Sequence, residues 1–269
     1  MDIDSEQLCA EPKTLKKMDV SVILASYNAA LFVEKSVRQI QDVLDATIYN
    51  YELIFVDDRS TDDSVSVIKR LIAEKPNCFL YEHTVNRGRG AVVSEGFKKA
   101  RGEIVGFIDL DLDNPAHYLF PMILGIQKGN ADVMTARRIY YWKLNPYLFI
   151  RMLTSKAYSA LSGTWLQTGL KDTETGCKFF RKEKILPLLE ETKNDRWFWD
   201  TEIMVRAYYA GLKILEIPTL FIRDTHYSTV RILPDSLVYL YNLWRFRPVQ
   251  RQLKKRFEAE KHGKAGLLN

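Results

Sequence analysis

Three aspartates at alternate positions, in the pentapeptide DLDLD from Asp109 to Asp113, follow directly on the apolar run IVGFI. In an extended strand, residues i, i+2 and i+4 point to one face. The spacing therefore predicts that Asp109, Asp111 and Asp113 aim three negative groups into one volume, which is unfavourable unless a cation sits there. The donor set is oxygen only, which suits a hard divalent ion, Mg2+ or Mn2+, that bridges a diphosphate and keeps open positions. A calcium-binding EF loop is excluded, because its sixth and twelfth positions are Asn114 and Phe120 instead of Gly and Glu. Phosphatases with an aspartate nucleophile usually carry Thr or Val where Asp113 stands.

Two further motifs carry polar groups at comparable places. FVDDRSTDDS puts Asp57 and Asp58 at the end of a second apolar run, ahead of Ser60 and Thr61. Helix capping accounts for one Asp and one Ser; the paired aspartate is surplus, and can accept from a nucleobase N–H or from ribose hydroxyls. NRGRGAVVSEG interleaves Arg87 and Arg89 with Gly88 and Gly90, either as a tight turn with solvated arginines or as a backbone that approaches a phosphate at a helix start, with the two arginines as cations beside it. It is neither GxGxxG nor a P-loop, since no GK[ST] follows.

The elements that must hold these motifs alternate from residue 20 onward. Strands are predicted at Val20–Ala25, Tyr51–Asp57, Cys78–His83, Glu103–Asp109 and Ala131–Ala136. Helices are predicted over Ala29–Leu44, from about Asp62 to Glu74, over Ala91–Ala100, and from about Pro115. Such alternation implies an α/β fold, a mostly parallel twisted sheet covered by helices on both faces, with ligands at the carboxyl ends of the strands. Beyond residue 140 the pattern changes. Tyr140–Leu170 reads as one or two helices, DTETGCKFFRKE as loop then strand, Trp197–Ala210 as a helix, KILEIP and TLFIRD as two short strands, and Asp235–Phe246 as a final amphipathic helix. The organisation expected is a polar extension over 1–18, a donor-binding half over 19–138, an acceptor-binding half over 139–234 and a basic amphipathic segment over 235–269.

Composition bounds the class. The 269 residues are 46% hydrophobic and 27% charged, as in ordinary globular proteins. Cys9, Cys78 and Cys177 are widely spaced and odd in number, which predicts thiols in a reducing compartment. No apolar h-region opens the chain and no stretch reaches the roughly 18–20 apolar residues of a spanning helix. The net charge of +5 is concentrated: Arg245 to Lys264 hold eight Lys/Arg against two Glu, interleaved with Phe246, Leu253 and Phe257 and preceded by Trp244. That end suits an anionic membrane surface or a solvated helical tail. Nucleic-acid binding is not expected, because the basic residues cluster at one end without a recognisable module.

Taken in order, ASYNAA, FVDDRSTDDS, NRGRGAVVSEGFKKARGEIVGFIDLDLDNP, TARR, DTETGCKFFRKE and WDTEIMVRAYYAGLKILEIP resemble the family 2 inverting glycosyltransferases of GT-A fold. The resemblance covers about residues 20–230 and is nearest to the dolichyl-phosphate mannose synthase and polyprenyl-phosphate glycosyltransferase branch. It implies a nucleotide-sugar donor bound by Ala25, Tyr27, Asn28, Asp57, Asp58, Arg87, Gly88, Asp109, Leu110 and Asp111, with Asp109 and Asp111 as metal ligands and Asp113 beside them. Arg137 in TARR matches the family's catalytic arginine, Asp172 the aspartate near the acceptor, and Glu202 the glutamate of the following helix. Acceptor binding would fall to Arg223, Ser228 and Arg231. Two positions depart from the pattern: Ala29 lacks the usual carboxylate, and Thr229 stands where a lysine would meet a lipid phosphate.

The implied chemistry is inverting transfer of a UDP- or GDP-linked sugar to a polyprenyl phosphate, on the cytoplasmic face of a membrane. Tyr147, Phe149, Arg151, Lys156 and Trp165 are expected to meet the bilayer or to pack in the core. A hydroxyl acceptor would instead need a base, for which Asp172, Asp200 and Glu202 are the candidates. A nucleotidyltransferase would show a Gly/Lys/Arg-rich signature at the first strand, which ASYNAALF lacks.

Overall fold

A computed structural model describes residues 18–73, 75–140, 163–222 and 232–266. Strands β1 (Val20–Ser26), β2 (Tyr51–Asp57), β3 (Cys78–Glu82), β4 (Ile104–Ile108), β5 (Val133–Tyr140), β6 (Cys177–Arg181) and β7 (Ile214–Phe221) form one sheet in the order β3-β2-β1-β4-β6-β5-β7. Only β6 runs against its neighbours β4 and β5. The register pairs Ser26 with Asp57, Asp57 with Glu82, and Ile108 with Cys177. The tips of β1 to β4 and the loop entering β6 therefore share one edge of the sheet. Because β5, β6 and β7 continue that sheet, the donor and acceptor halves expected from sequence are built on one scaffold.

Period-two alternation fills both faces. Val20, Val22 and Leu24 of β1 join a core under helices α1 (Val33–Asp45) and α4 (Leu119–Gln127), while Ile23 joins the opposite core under α3 (Arg89–Lys99), α5 (Lys182–Glu191) and α6 (Trp199–Tyr209). Leu53 and Phe55 of β2 face the first core, Ile54 and Val56 the second. Gly106 in β4 leaves room for Phe179, whose ring lies 2.2 Å from where a β-carbon would stand. Helix α2 (Ser64–Ile72) is shorter than expected, and α4 is reached through a 3-10 turn at Ala116–Tyr118.

Three elements differ from expectation. KILEIP and TLFIRD are one strand, β7, because Pro218 lies on the sheet's edge, where a missing backbone N–H costs no ladder bond. Helix α5 was not foreseen; Pro187 within LPLLEE masks its period. The last helix, α7, runs Ile232–Gly266, far past Phe246 and through Pro248. Its heptad stripe explains the length: Leu243, Phe246, Gln250, Leu253 and Phe257 pack with Phe198, Val205 and Tyr209 of the α6 region. Trp165 joins that same cluster and lies under the Arg247 guanidinium, 4.8 Å from its ring centre, so it is a packing residue. Tyr147, Phe149, Arg151, Lys156, Arg223, Ser228, Thr229 and Arg231 lie outside the described residues.

Candidate active site

The loops leaving β1 and β2 are knitted together by their own polar side chains. Asn28, in left-handed backbone with φ 51°, accepts from the Thr61 N–H through Oδ1 (2.8 Å), while its own N–H donates to Ser60 Oγ (2.9 Å). Buried Ala29 donates its N–H to Ser64 Oγ (2.7 Å). Asp57 folds back on Ser60, accepting from its N–H at 2.8 Å and its hydroxyl at 2.6 Å. Asp58 accepts from the Arg87 and Gly88 N–H groups, both at 2.7 Å, and meets His83 Nδ1 at 2.8 Å. His83 Nε2 lies 3.0 Å from Glu95, which also takes Arg87. Asp58 thus anchors the backbone entering α3, and its oxygens are filled by that work. Ala25 is half-buried and Tyr27 exposed at the same edge.

The glycines of NRGRG serve packing. Gly88 has φ 97°, which L side chains rarely adopt, and a β-carbon there would stand 2.6 Å from the Asp195 carbonyl oxygen. One at Gly90 would stand 2.5 Å from Trp199 Cβ. The start of α3 is therefore pressed against the loop before α6. Replacing Asp58 by Ala removes the acceptor of both loop N–H groups, and is expected to lower the melting temperature by several degrees, read by calorimetry.

The tip of β4 corrects the alternation read from DLDLD. The strand ends at Ile108, Leu112 donates its N–H back to the Asp109 carbonyl (3.1 Å) with φ 49°, and the segment is a turn. The three aspartates consequently diverge. Asp109 turns inward, Asp111 is exposed and accepts the Asp113 N–H (3.2 Å), and Asp113 is buried with its carbonyl bound to the Ile222 N–H (2.9 Å). Among the described residues no group of three His, Cys, Asp or Glu side chains is arranged to hold a metal ion. The three-carboxylate ligand set is not formed, and Leu110 packs its side chain into the core, leaving only its backbone for a ligand.

Behind the tip lies a buried ion network. Arg89 donates to Asp109 Oδ1 through Nε (3.0 Å) and Nη2 (2.7 Å), and through Nη1 to Asp200. The other oxygen of Asp200 takes Lys178 Nζ at 2.7 Å, and Lys178 also donates to the Thr175 carbonyl. Burial pushes the Asp109 carboxyl up to about 6, against the pull of Arg89 and with the help of neighbouring Asp111. Burial depresses the Lys178 ammonium, partly opposed by Asp200. Gly176 closes the network: a β-carbon there would lie 1.9 Å from Asp109 Oδ2.

In the loop before β6, Asp172 grips Arg138, the neighbour of the expected Arg137. Arg138 donates its N–H (3.0 Å) and Nε (2.8 Å) to Oδ2 and Nη2 (2.8 Å) to Oδ1. Burial raises the proton affinity of Asp172, but Arg138 outweighs it and holds the carboxyl below its ordinary range. The Asp172 N–H is itself fixed by Glu216 of β7 (2.9 Å). Arg137 is half-buried, and its carbonyl accepts the Thr219 hydroxyl (3.4 Å). Glu202 is committed to Arg206 (2.8 Å) and to the N–H groups of Lys193 and Asn194 (3.1 Å each), and so shapes the loop against α3.

Sequence reasoning missed Lys178, Arg138, His83 and Glu174, and read Arg89 as a phosphate-side or solvated cation where it is tied to Asp109 and Asp200. One signal was available: a lysine within CKFF, an apolar strand between two others, must be buried and so demands a carboxylate.

The chain matches the family model described as "Glycosyl transferase family 2" over residues 21–187. It is 30% identical over 207 residues to glycosyltransferase AglD of Haloferax volcanii, covering 76% of this chain and 33% of that protein. It is 28% identical over 214 residues to dolichyl-phosphate beta-glucosyltransferase ALG5A of Trichomonas vaginalis, covering 74% and 64%. The chain thus spans a third of the first relative and less than two thirds of the second. Glucosyl-3-phosphoglycerate synthase from Mycobacterium tuberculosis, solved with Mn2+, uridine diphosphate and phosphoglyceric acid, superimposes with a TM-score of 0.66 at 18% identity, over 86% of this chain and 78% of that one. S. aureus TarS 1-349 with UDP-GlcNAc gives 0.56 at 17% identity, over 87% and 66%. The fold is therefore the GT-A fold expected from the motif order.

Proposed function

The chain belongs to glycosyl transferase family 2, and from that membership we propose that it transfers a sugar from a nucleotide-diphosphate sugar, with inversion, to a polyprenyl phosphate at a membrane surface. One observation carries the reading most of all. The tip of β4 presents one exposed carboxylate, Asp111, beside a second, Asp109, that a buried arginine fixes in place.

A hard divalent ion fits this pair. Both ligating groups are oxygen donors, and the Asp111 charge adds to burial in raising the cost of keeping Asp109 ionised, which a cation relieves. Asp111 and the oxygen of Asp109 turned from Arg89 would hold Mg2+ or Mn2+, with the diphosphate completing its shell. When bound, the ion supplies Lewis-acid stabilisation of the departing diphosphate. The protein's own groups do the rest. Asp57 and the Asn28 loop border the place of the nucleoside, Asp58 fixes Arg87 and Gly88, and Arg137 adds positive charge as the C1–O bond breaks. Asp172, held ionised by Arg138, positions that guanidinium instead of accepting a proton. A phosphate acceptor is already anionic and needs no strong base, which agrees with a site whose candidate bases Asp172, Asp200 and Glu202 are all tied to cations.

Membrane contact is supported by α7. Leu237, Leu240, Tyr241 and Trp244 form an exposed apolar stripe, opposite the stripe packed on α6 and close to exposed Arg245, Arg247 and Arg251. No helix among the described residues is long and apolar enough to cross a membrane. The protein is expected to float with vesicles containing anionic lipid and to be released by about half-molar salt. Trp244→Ala should weaken flotation about tenfold. Protein remaining at the bottom of the gradient at low salt would remove the membrane from this reading.

A second reading, transfer to a glycan or other hydroxyl, is favoured by Thr229 in place of the expected lysine. Incubation with Mn2+, a panel of UDP- and GDP-sugars and either dolichyl phosphate or oligosaccharides, scored by product mass, separates the two. Product on the oligosaccharide alone would replace the first reading with the second.

A further inference from the structure

The buried network holds one carboxylate more than it has cations. Arg89 serves Asp109 and Asp200, Lys178 serves Asp200, and Arg138 serves Asp172 through two side-chain bonds. Glu174, two residues past Asp172, is left over. Its nearest cation is Arg138 Nη2 at 3.6 Å, already engaged by Asp172, and its side chain is only 17% exposed. The charged groups that face it come from each element packed around it: Arg138 of β5, Asp172 of its own loop, Lys178 of β6 and Asp200 of α6. The same loop ends at Gly176, whose backbone carbonyl accepts the Asp109 N–H (2.9 Å) and whose α-carbon lies against the Asp109 carboxylate. Glu174 thus stands in the loop that joins the β4 tip to Arg138 of β5.

We propose that Glu174 is carried as the neutral carboxylic acid, and that its proton keeps the surroundings of Arg138 electropositive enough to admit an anionic acceptor. A third negative charge beside Arg138, after Asp172 and near Asp200, would cancel the field that a phosphate needs; an uncharged acid leaves that field in place and offers an O–H donor. The role is one of positioning and selectivity, and its acceptor half rests on the transferase reading above. Burial pushes the Glu174 carboxyl up to about 7, in keeping with the geometry.

A carboxyl whose folded value is raised contributes stability that is fully present below its unfolded value and is lost as pH rises through the folded value. Glu174→Gln replaces the acid by a neutral isostere that cannot ionise. The melting temperature of the unliganded wild type, minus that of Glu174→Gln, should fall by about 5 °C between about pH 4.5 and 7 and then level off. In parallel, binding of dolichyl phosphate in detergent micelles is measured at pH 6 and 8. The wild-type affinity divided by that of Glu174→Gln, a ratio that cancels ionisation of the lipid's own phosphate, should drop about tenfold. A pH-independent melting difference means that Glu174 is ionised throughout, and overturns the proposal whatever the protein's activity. A melting difference as expected with an unchanged affinity ratio, or with no lipid binding in either protein, overturns the acceptor half. Failure of every sugar-nucleotide assay, by contrast, counts against the transferase reading and leaves the unfolding result to decide the proton.

Discussion

Asp111→Ala is expected to lower turnover of the nucleotide-sugar donor by about 10²–10³-fold while the melting temperature stays within about 1 °C of wild type. The two halves of this expectation come from one feature: the Asp111 carboxylate is exposed, and among the described residues the hydrogen bond it accepts is from the Asp113 N–H, at 3.2 Å. Its removal strands only the Asp113 N–H, whose bond is long and part-buried, so the fold weakens little. What it takes away is an outward oxygen donor at the β4 tip. Manganese titration should show the loss directly, as a weaker metal requirement curve or none. The companion substitution Asp109→Asn behaves differently, because it leaves Arg89 with a single carboxylate and should lose stability as well as activity. Undiminished turnover in Asp111→Ala would defeat the metal-centred account of this site.

The second large effect is on stability. Asp200→Ala should cost about 3–5 kcal/mol at neutral pH, a fall in melting temperature of about 10 °C. Asp200 is buried and divides its oxygens between Arg89 and Lys178. Arg89 keeps Asp109, but Lys178 keeps only the Thr175 carbonyl, with its ammonium wholly enclosed. Burial already depresses that ammonium, and without Asp200 it should lose its proton in the folded state. The unfolded chain then binds one proton more than the native one, so stability rises with pH up to about 10.4, the unfolded lysine value. The gap to wild type should accordingly narrow between pH 7 and 10 in thermal melts. Adding Lys178→Met to Asp200→Ala should recover part of the loss, since no buried ammonium remains. A loss independent of pH, and not relieved by the methionine, would mean that packing and not charge is at stake.

Both predictions depend on features that stand at different distances from the sequence. Five strands, their order along the chain and the placing of ASYNAA, FVDDRS and DLDLD at strand tips were legible, because apolar runs of five to seven residues bounded by polar turns have few other solutions. The family was legible too, from six motifs in order. The alternation inside DLDLD was misread, since period two holds only while the strand lasts, and Ile108 is its last residue. Nothing local marks that end: the Asp109 N–H still bonds the Gly176 carbonyl, the Leu112 N–H turns back onto the Asp109 carbonyl, and Arg89, twenty residues earlier, holds the Asp109 carboxylate. The extent of α7 was hidden by Pro248, although the stripe from Leu243 to Phe257 was present in the sequence.

What the chain's residues determined alone was the α/β plan, the edge of the sheet where the polar motifs gather, and the carboxylates they bring there. Only the tertiary structure decided which of those carboxylates remain available. Asp58, Asp172, Asp200 and Glu202 are consumed by partners 4 to 111 residues away, Asp111 stays open, and Glu174 is left without a cation of its own. The physical reason is that a charge's role depends on what else is buried beside it, and ion pairing in a low-dielectric interior joins residues that sequence spacing does not relate.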